Sequence, residues 1–143
     1  MLGWSATRNE CQMAEILIID DDPEVRDVMK AALSAAGHQV REAKDGVEGL
    51  ALARKHHPTL VVTDIVMPEK EGMEVIRELR RQLPNITILA VSGAVRSAFY
   101  LHLASQFGAD AVLPKPFRFD DLIRAVADLL NGSEHPATAS NER

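Results

Sequence analysis

The sequence predicts an α/β fold: a doubly wound, five-stranded parallel sheet with five helices spread over both faces. Three observations lead there. Short apolar runs rich in β-branched residues and without alternation, such as ILII at 16–19, LVVT at 60–63 and ITILAV at 86–91, read as strands buried on both faces. Segments with helical apolar spacing follow them, separated by Asp-Pro, Asp-Gly, Ser-Gly and lone glycine signals. Strand and helix alternate five times, which calls for right-handed crossovers and a parallel sheet.

The elements follow in order. Strand 1 is 16–19. Asp22-Pro23 reads as an N-cap followed by proline at the first helical position, and Val25, Val28, Met29, Ala32, Leu33 and Ala36 form one helical face before Gly37 stops the helix. Residues 38–43 are a short strand with a weak apolar signal. Asp45-Gly46 opens a helix to about His57, with Val47, Leu50 and Ala51 expected inward. Strand 3 is 60–63, ending at Asp64. After Met67-Pro68 a third helix carries Val75, Ile76, Leu79 and Leu83. Strand 4 ends at Ser92-Gly93. A fourth helix, with Phe99, Leu103 and Phe107 on successive turns, ends at Gly108. Residues 111–113 form strand 5, broken by Pro114-Lys115-Pro116, and the last helix, about 119–131, buries Leu122, Ile123, Val126, Leu129 and Leu130.

Pro114 orders the sheet. Proline cannot donate to a ladder and belongs on an edge strand or a strand end. In the flavodoxin-like order 2-1-3-4-5 the fifth strand is an edge. The expected organisation is one domain over 14–131, with a disordered extension at 1–13 and a flexible tail at 132–143.

Composition narrows the function classes. The 143 residues carry 16 Lys and Arg against 21 Asp and Glu, net −5, whereas a binder of phosphate backbones needs a basic face. One cysteine, Cys11, cannot form an internal disulfide or supply a zinc cluster. No apolar run approaches the ~20 residues of a membrane span, and the N-terminus lacks the pattern of a secretion signal. A soluble, cytoplasmic protein is expected. No Gly-x-Gly-x-x-Gly follows strand 1, which disfavours nucleotide oxidoreduction.

Ligands of open parallel sheets bind beyond the carboxyl ends of the strands. Those ends carry Asp20 and Asp21 after strand 1, Asp64 after strand 3, Ser92 after strand 4 and Lys115 after strand 5. Clustered carboxylates repel unless a cation neutralises them, and carboxylate oxygens with room for water suit Mg²⁺. A carboxylate is also a nucleophile that forms an acyl phosphate, whose charge a metal, a lysine and a hydroxyl can share. The set reads as phosphoryl acceptance on an aspartate.

With those residues in place, ILIIDDDP, VVTDIVMPEKEG, AVSG and LPKPF resemble the receiver domain of bacterial response regulators in two-component signalling, over about 14–131. The resemblance implies that Asp64 is phosphorylated by a sensor histidine kinase or a histidine phosphotransfer protein. It also implies that Asp20, Asp21, Asp64 and the backbone carbonyl of Val66 hold Mg²⁺ (or Mn²⁺). Ser92 then matches the hydroxyl residue that moves onto the phosphoryl group, and Lys115 the family's lysine, with a cis bond to Pro116. Two departures stand out. Val112 occupies the position where the family often has an aromatic switch residue. The 12 residues after the last helix are too few for an output domain. The chain is therefore expected to act as a stand-alone receiver, signalling to a protein target through helix 4, strand 5 and helix 5, with Tyr100 and Arg124 on that face.

Blander readings compete at several positions. Asp22 is mainly a helix cap. Asp64 or Ser92 alone would be an ordinary turn residue, and Lys115 alone a solvated loop lysine. His56, His57, His102 and His135 have no metal-like partners and read as surface residues. The rival activity is a magnesium phosphatase of the haloacid-dehalogenase kind, since Asp20 and Asp22 form Asp-x-Asp, but Glu24 stands where that pattern has threonine or valine. A degenerate receiver acting as a scaffold is the third reading, disfavoured by the complete set of site residues.

Overall fold

A computed structural model of the chain describes residues 13–65, 72–93, 102 and 104–132. Five strands, β1 (Glu15–Ile19), β2 (Gln39–Ala43), β3 (Leu60–Asp64), β4 (Thr87–Ser92) and β5 (Ala111–Pro114), form one parallel sheet in the order β2-β1-β3-β4-β5. The helices are α1 (Pro23–Ala35), α2 (Gly46–His56), α3 (Gly72–Gln82), α4, described at 104–107, and α5 (Phe119–Leu130). Proline 114 lies at the last rung of edge strand β5, opposite Ser92.

Alternation along the strands divides the core into two layers. Leu17, Ile19, Val61, Ile88, Ala90 and Val112 pack with residues of α2 and α3 and with Ala104 of α4. Ile16, Ile18, Leu60, Val62, Leu89, Val91 and Leu113 pack with Met29 and Leu33 of α1 and with Leu122 and Val126 of α5. Both sheet faces are thus covered, which is why the strands read as continuous apolar runs.

The caps form as the sequence indicates. Asp22 Oδ1 accepts from Glu24 N at 2.9 Å, and Asp45 Oδ1 accepts from Glu48 N at 2.9 Å. Arg80 of α3 donates to the carbonyls of Pro84, Ile86 and Gly108 and to Asp110 Oδ2, tying the end of α4 to the sheet.

Some inward assignments need correction. Val28 and Ala36 of the first helical segment are exposed, because its buried stripe runs through Met29, Ala32 and Leu33. In α2, Val47 and Ala51 are exposed, and the buried face is Gly46, Gly49, Leu50 and Ala53. The cause is close packing: a Cβ on Gly49 would run into the side chain of Ile19. The helix lies on β1 along residues too small to register as hydrophobic. Residues 1–12 of the expected 1–13 extension, 133–143 of the expected 132–143 tail, Phe99, Tyr100 and Leu103 lie outside the described residues.

Candidate functional site

Parallel register brings the site residues to one level. Ile19 pairs with Thr63 and Asp64 with Val91, so Asp20, Asp64 and Ser92 end three adjacent strands side by side. Lys115 follows β5 directly, and its backbone N–H donates to the Ser92 carbonyl at 2.8 Å. Asp20, Asp64 and Ser92 are buried, whereas Asp21 is exposed.

Asp20 is held on every side. Its backbone N–H donates to the Ala43 carbonyl at 3.2 Å, and its own carbonyl accepts from Arg26 Nη1 at 2.7 Å. Carboxylate Oδ1 accepts from Asp22 N at 2.9 Å and Oδ2 from Lys115 Nζ at 3.1 Å. The same ammonium lies 3.4 Å from Asp64 Oδ2, bridging the two buried carboxylates. Burial by itself would lower the pKa of Lys115. The charges of Asp64 and Asp20 outweigh it and hold the ammonium above its usual value.

Asp20, Asp21 and Asp64 can each offer a carboxylate oxygen such that the three lie within 4.8 Å of one another. Three hard oxygen donors, two fixed by the fold and one open to water, fit a Mg²⁺ ion that keeps part of its hydration shell. One lysine cannot neutralise three carboxylates, so a divalent cation also answers the electrostatics. Val66, whose carbonyl is the fourth expected ligand, lies outside the described residues.

The structure thus gathers Asp20, Asp21, Asp64, Ser92 and Lys115 as the strand ends foretell. The Lys115–Pro116 bond is cis. Val112 is buried opposite Ala90 on the sheet face that carries α3 and α4. Two supporting residues escaped the sequence reading. At Gly72 a Cβ would meet the carbonyl oxygen of Asp64 and the Cα of Ile65, so the start of α3 presses on the site backbone. Its signal was present as the glycine closing VVTDIVMPEKEG. Arg26 gave none, being an arginine on a helix whose partners are distant in sequence.

Residues 16–127 match the family profile described as the response regulator receiver domain. The chain belongs to this family. The receiver is 39% identical over 116 residues to the response regulator MprA of Mycobacterium sp. (strain KMS), covering 80% of this chain and 50% of that protein. Among solved structures, a response regulator receiver domain protein from Clostridium thermocellum matches with a TM-score of 0.79 at 30% identity, covering 84% of this chain and 96% of that one. NtrX from Brucella abortus matches with the same TM-score and identity over 92% of this chain and 30% of its own. The receiver spans about half the length of the curated relatives it matches. Its family works in two-component systems: receivers are phosphoacceptors, their phosphodonor is a histidine kinase or phosphotransfer protein, and Mg²⁺ binding at an acidic pocket is typical. Among the described residues, no helix is long and apolar enough to cross a membrane.

Proposed function

We propose that this receiver is a stand-alone phosphorylation switch in which Asp64 takes the phosphoryl group of a phosphohistidine partner. The observation that carries the reading is the Lys115 ammonium set between the buried carboxylates of Asp20 and Asp64, with Asp21 open beside them. A carboxylate oxygen of Asp64 attacks phosphorus. The P–N bond breaks, its electron pair stays on the imidazole nitrogen, and that nitrogen takes up a proton. Asp20, Asp21 and Asp64, with the Val66 carbonyl, would hold Mg²⁺, which supplies charge neutralisation for the phosphoryl oxygens. Lys115 binds a phosphoryl oxygen as a compact cation, and Ser92 at the neighbouring strand end donates its hydroxyl to another.

The output is a protein contact through helix 4, strand 5 and helix 5, without nucleic acid or membrane. No turnover of small phosphate esters is expected, and a cytoplasmic location fits a phosphohistidine donor. The 14–131 unit is the working domain. An immunoblot of the source cells tests the stand-alone form: a band near 15.7 kDa agrees, and a clearly larger band refutes it.

Acetyl phosphate with Mg²⁺ tests the chemistry. Intact-mass spectra should show one added phosphoryl group on the wild type and none on Asp64→Asn or in excess chelator. Equal labelling of Asp64→Asn would overturn the assignment.

A further inference from the structure

Asp20 and Asp64 are positioned by the sheet, since one follows β1 directly and the other ends β3. Asp21 has no such support. It stands two residues past Ile19, the last rung between β1 and β2, in the segment that leads to Asp22 and α1. The direction of its side chain follows from the plane of the Asp20–Asp21 peptide. The carbonyl of that peptide, the Asp20 oxygen, finds a side-chain partner: Arg26 Nη1 at 2.7 Å.

Arg26 is well placed to hold it. Its backbone N–H closes the first turn of α1 on the Asp22 carbonyl at 3.0 Å, so the side chain springs from a fixed helical position. Its Nε lies 3.3 Å from Glu42 Oε1, near the end of edge strand β2. Glu42 is braced from its other oxygen by Lys30 Nζ at 3.1 Å. Lys30's hydrogen bond, against the opposing effect of burial and with help from Arg26, keeps the Glu42 carboxyl below its ordinary pKa and charged. The side chain of Arg26 is 17% exposed, so the bond to the carbonyl is largely shielded from water. A chain from Lys30 through Glu42 and Arg26 therefore ends on the one peptide that aims Asp21.

We propose that Arg26 is a positioning residue of the acidic site: by fixing the Asp20–Asp21 peptide it presents Asp21 to the cation and sets Mg²⁺ affinity without touching the ion. The inference rests on the Mg²⁺ reading above and deepens it. It also predicts a sign that simple electrostatics does not. If Arg26 acted only through its charge, removing a cation from the neighbourhood would tighten Mg²⁺ binding. A positioning role predicts weaker binding.

The experiment has two arms. Mg²⁺ is titrated into wild type, Arg26→Met, Arg26→Lys and Glu42→Gln, followed by two-dimensional amide NMR, with cooperative urea unfolding confirming that each variant is folded. Arg26→Met should weaken Mg²⁺ about tenfold, the range for groups that orient metal ligands. Arg26→Lys, with one donor group in place of a fork, should recover part of the loss, and Glu42→Gln should lie between wild type and Arg26→Met. In the second arm, without metal, amide exchange at Asp22, whose N–H bonds Asp20 Oδ1, should be faster in Arg26→Met than in wild type. Equal or tighter Mg²⁺ binding by Arg26→Met, or unchanged Asp22 exchange, overturns the positioning role. A wild type that binds no Mg²⁺ overturns the metal reading instead, and the exchange arm still decides the role of Arg26. Should Arg26→Met not fold, Glu42→Gln with an affinity equal to wild type overturns the proposal.

Discussion

Replacing Lys115 by methionine removes the ammonium while keeping most of the apolar stem. That ammonium lies 3.1 Å from Asp20 Oδ2 and 3.4 Å from Asp64 Oδ2. At an effective dielectric of about 20, each contact carries a gross attraction of roughly 5 kcal/mol. Desolvation cancels much of it, and breaking a buried pair by deleting one partner costs about 3–5 kcal/mol net. The Lys115 side chain is 21% exposed, so water screens part of the loss, and a destabilisation of roughly 2–3 kcal/mol is expected. Because the folded state raises the lysine pKa above 10.5, this contribution is complete below that value and fades only as pH climbs through the folded-state pKa. The deficit should therefore be constant between about pH 6 and pH 9. Mg²⁺ should offset part of it: a ligand that binds only the native state adds about 2.7 kcal/mol at a hundred times its Kd. With the competing cation gone, the urea midpoint of Lys115→Met should rise more with Mg²⁺ than that of the wild type. Urea unfolding of both proteins, with Mg²⁺ and with chelator, measures this. A variant as stable as wild type in chelator would show that the lysine is not the internal counterion, and an equal Mg²⁺ response would separate it from the metal site.

Two further outcomes can be checked. Gly72→Ala forces a Cβ against the backbone of Asp64 and Ile65, which cannot swing aside as a side-chain tip can; it should cost about 1–3 kcal/mol in urea unfolding and slow labelling by acetyl phosphate, and wild-type values for both would refute the close approach. His38 Nδ1 accepts from Ala14 N at 3.1 Å, and burial lowers its pKa from 6.5, so the unfolded chain takes up this proton at a higher pH than the folded one. Stability from this group is complete above pH 6.5 and falls as pH drops below it; His38→Gln should flatten the urea midpoint between about pH 7 and pH 5, and an unchanged pH slope would refute it.

The fold was legible because two-sided burial leaves its mark directly in composition: β1, β3 and β4 are continuous apolar runs that no surface segment would show. The site was legible for a related reason, since strand ends converge by topology and need no knowledge of side-chain contacts. What stayed hidden depends on groups without a pattern. Gly49 and Gly72 act through an absent side chain, which no hydrophobic count records, so the apolar spacing of α2 points toward Val47 and Ala51 instead. Arg26 acts through a backbone carbonyl, and any residue type supplies one. Glu42 sits in a short strand with a weak apolar signal, and only the fold places it beside α1.

These hidden contacts explain why neighbouring aspartates with one chemistry have different places in the site. Asp20 has its N–H, its carbonyl and both carboxylate oxygens engaged within the protein, and it is fully buried. A buried carboxylate so engaged is a fixed wall, with Lys115 meeting part of its charge. Asp21 is exposed, one peptide beyond the ladder, and a bound cation would give its charge a partner. The fold therefore supplies rigidity where desolvation makes movement costly, and leaves open the carboxylate nearest to water. An open ligand on a turn would lose affinity to its own freedom, because each ordered residue costs roughly 1–2 kcal/mol of backbone entropy on binding unless it is ordered beforehand. Arg26 and Glu42 pre-order that peptide from the far side, away from the ion, so that the turn can face solvent and still present its carboxylate in register with the two strand ends.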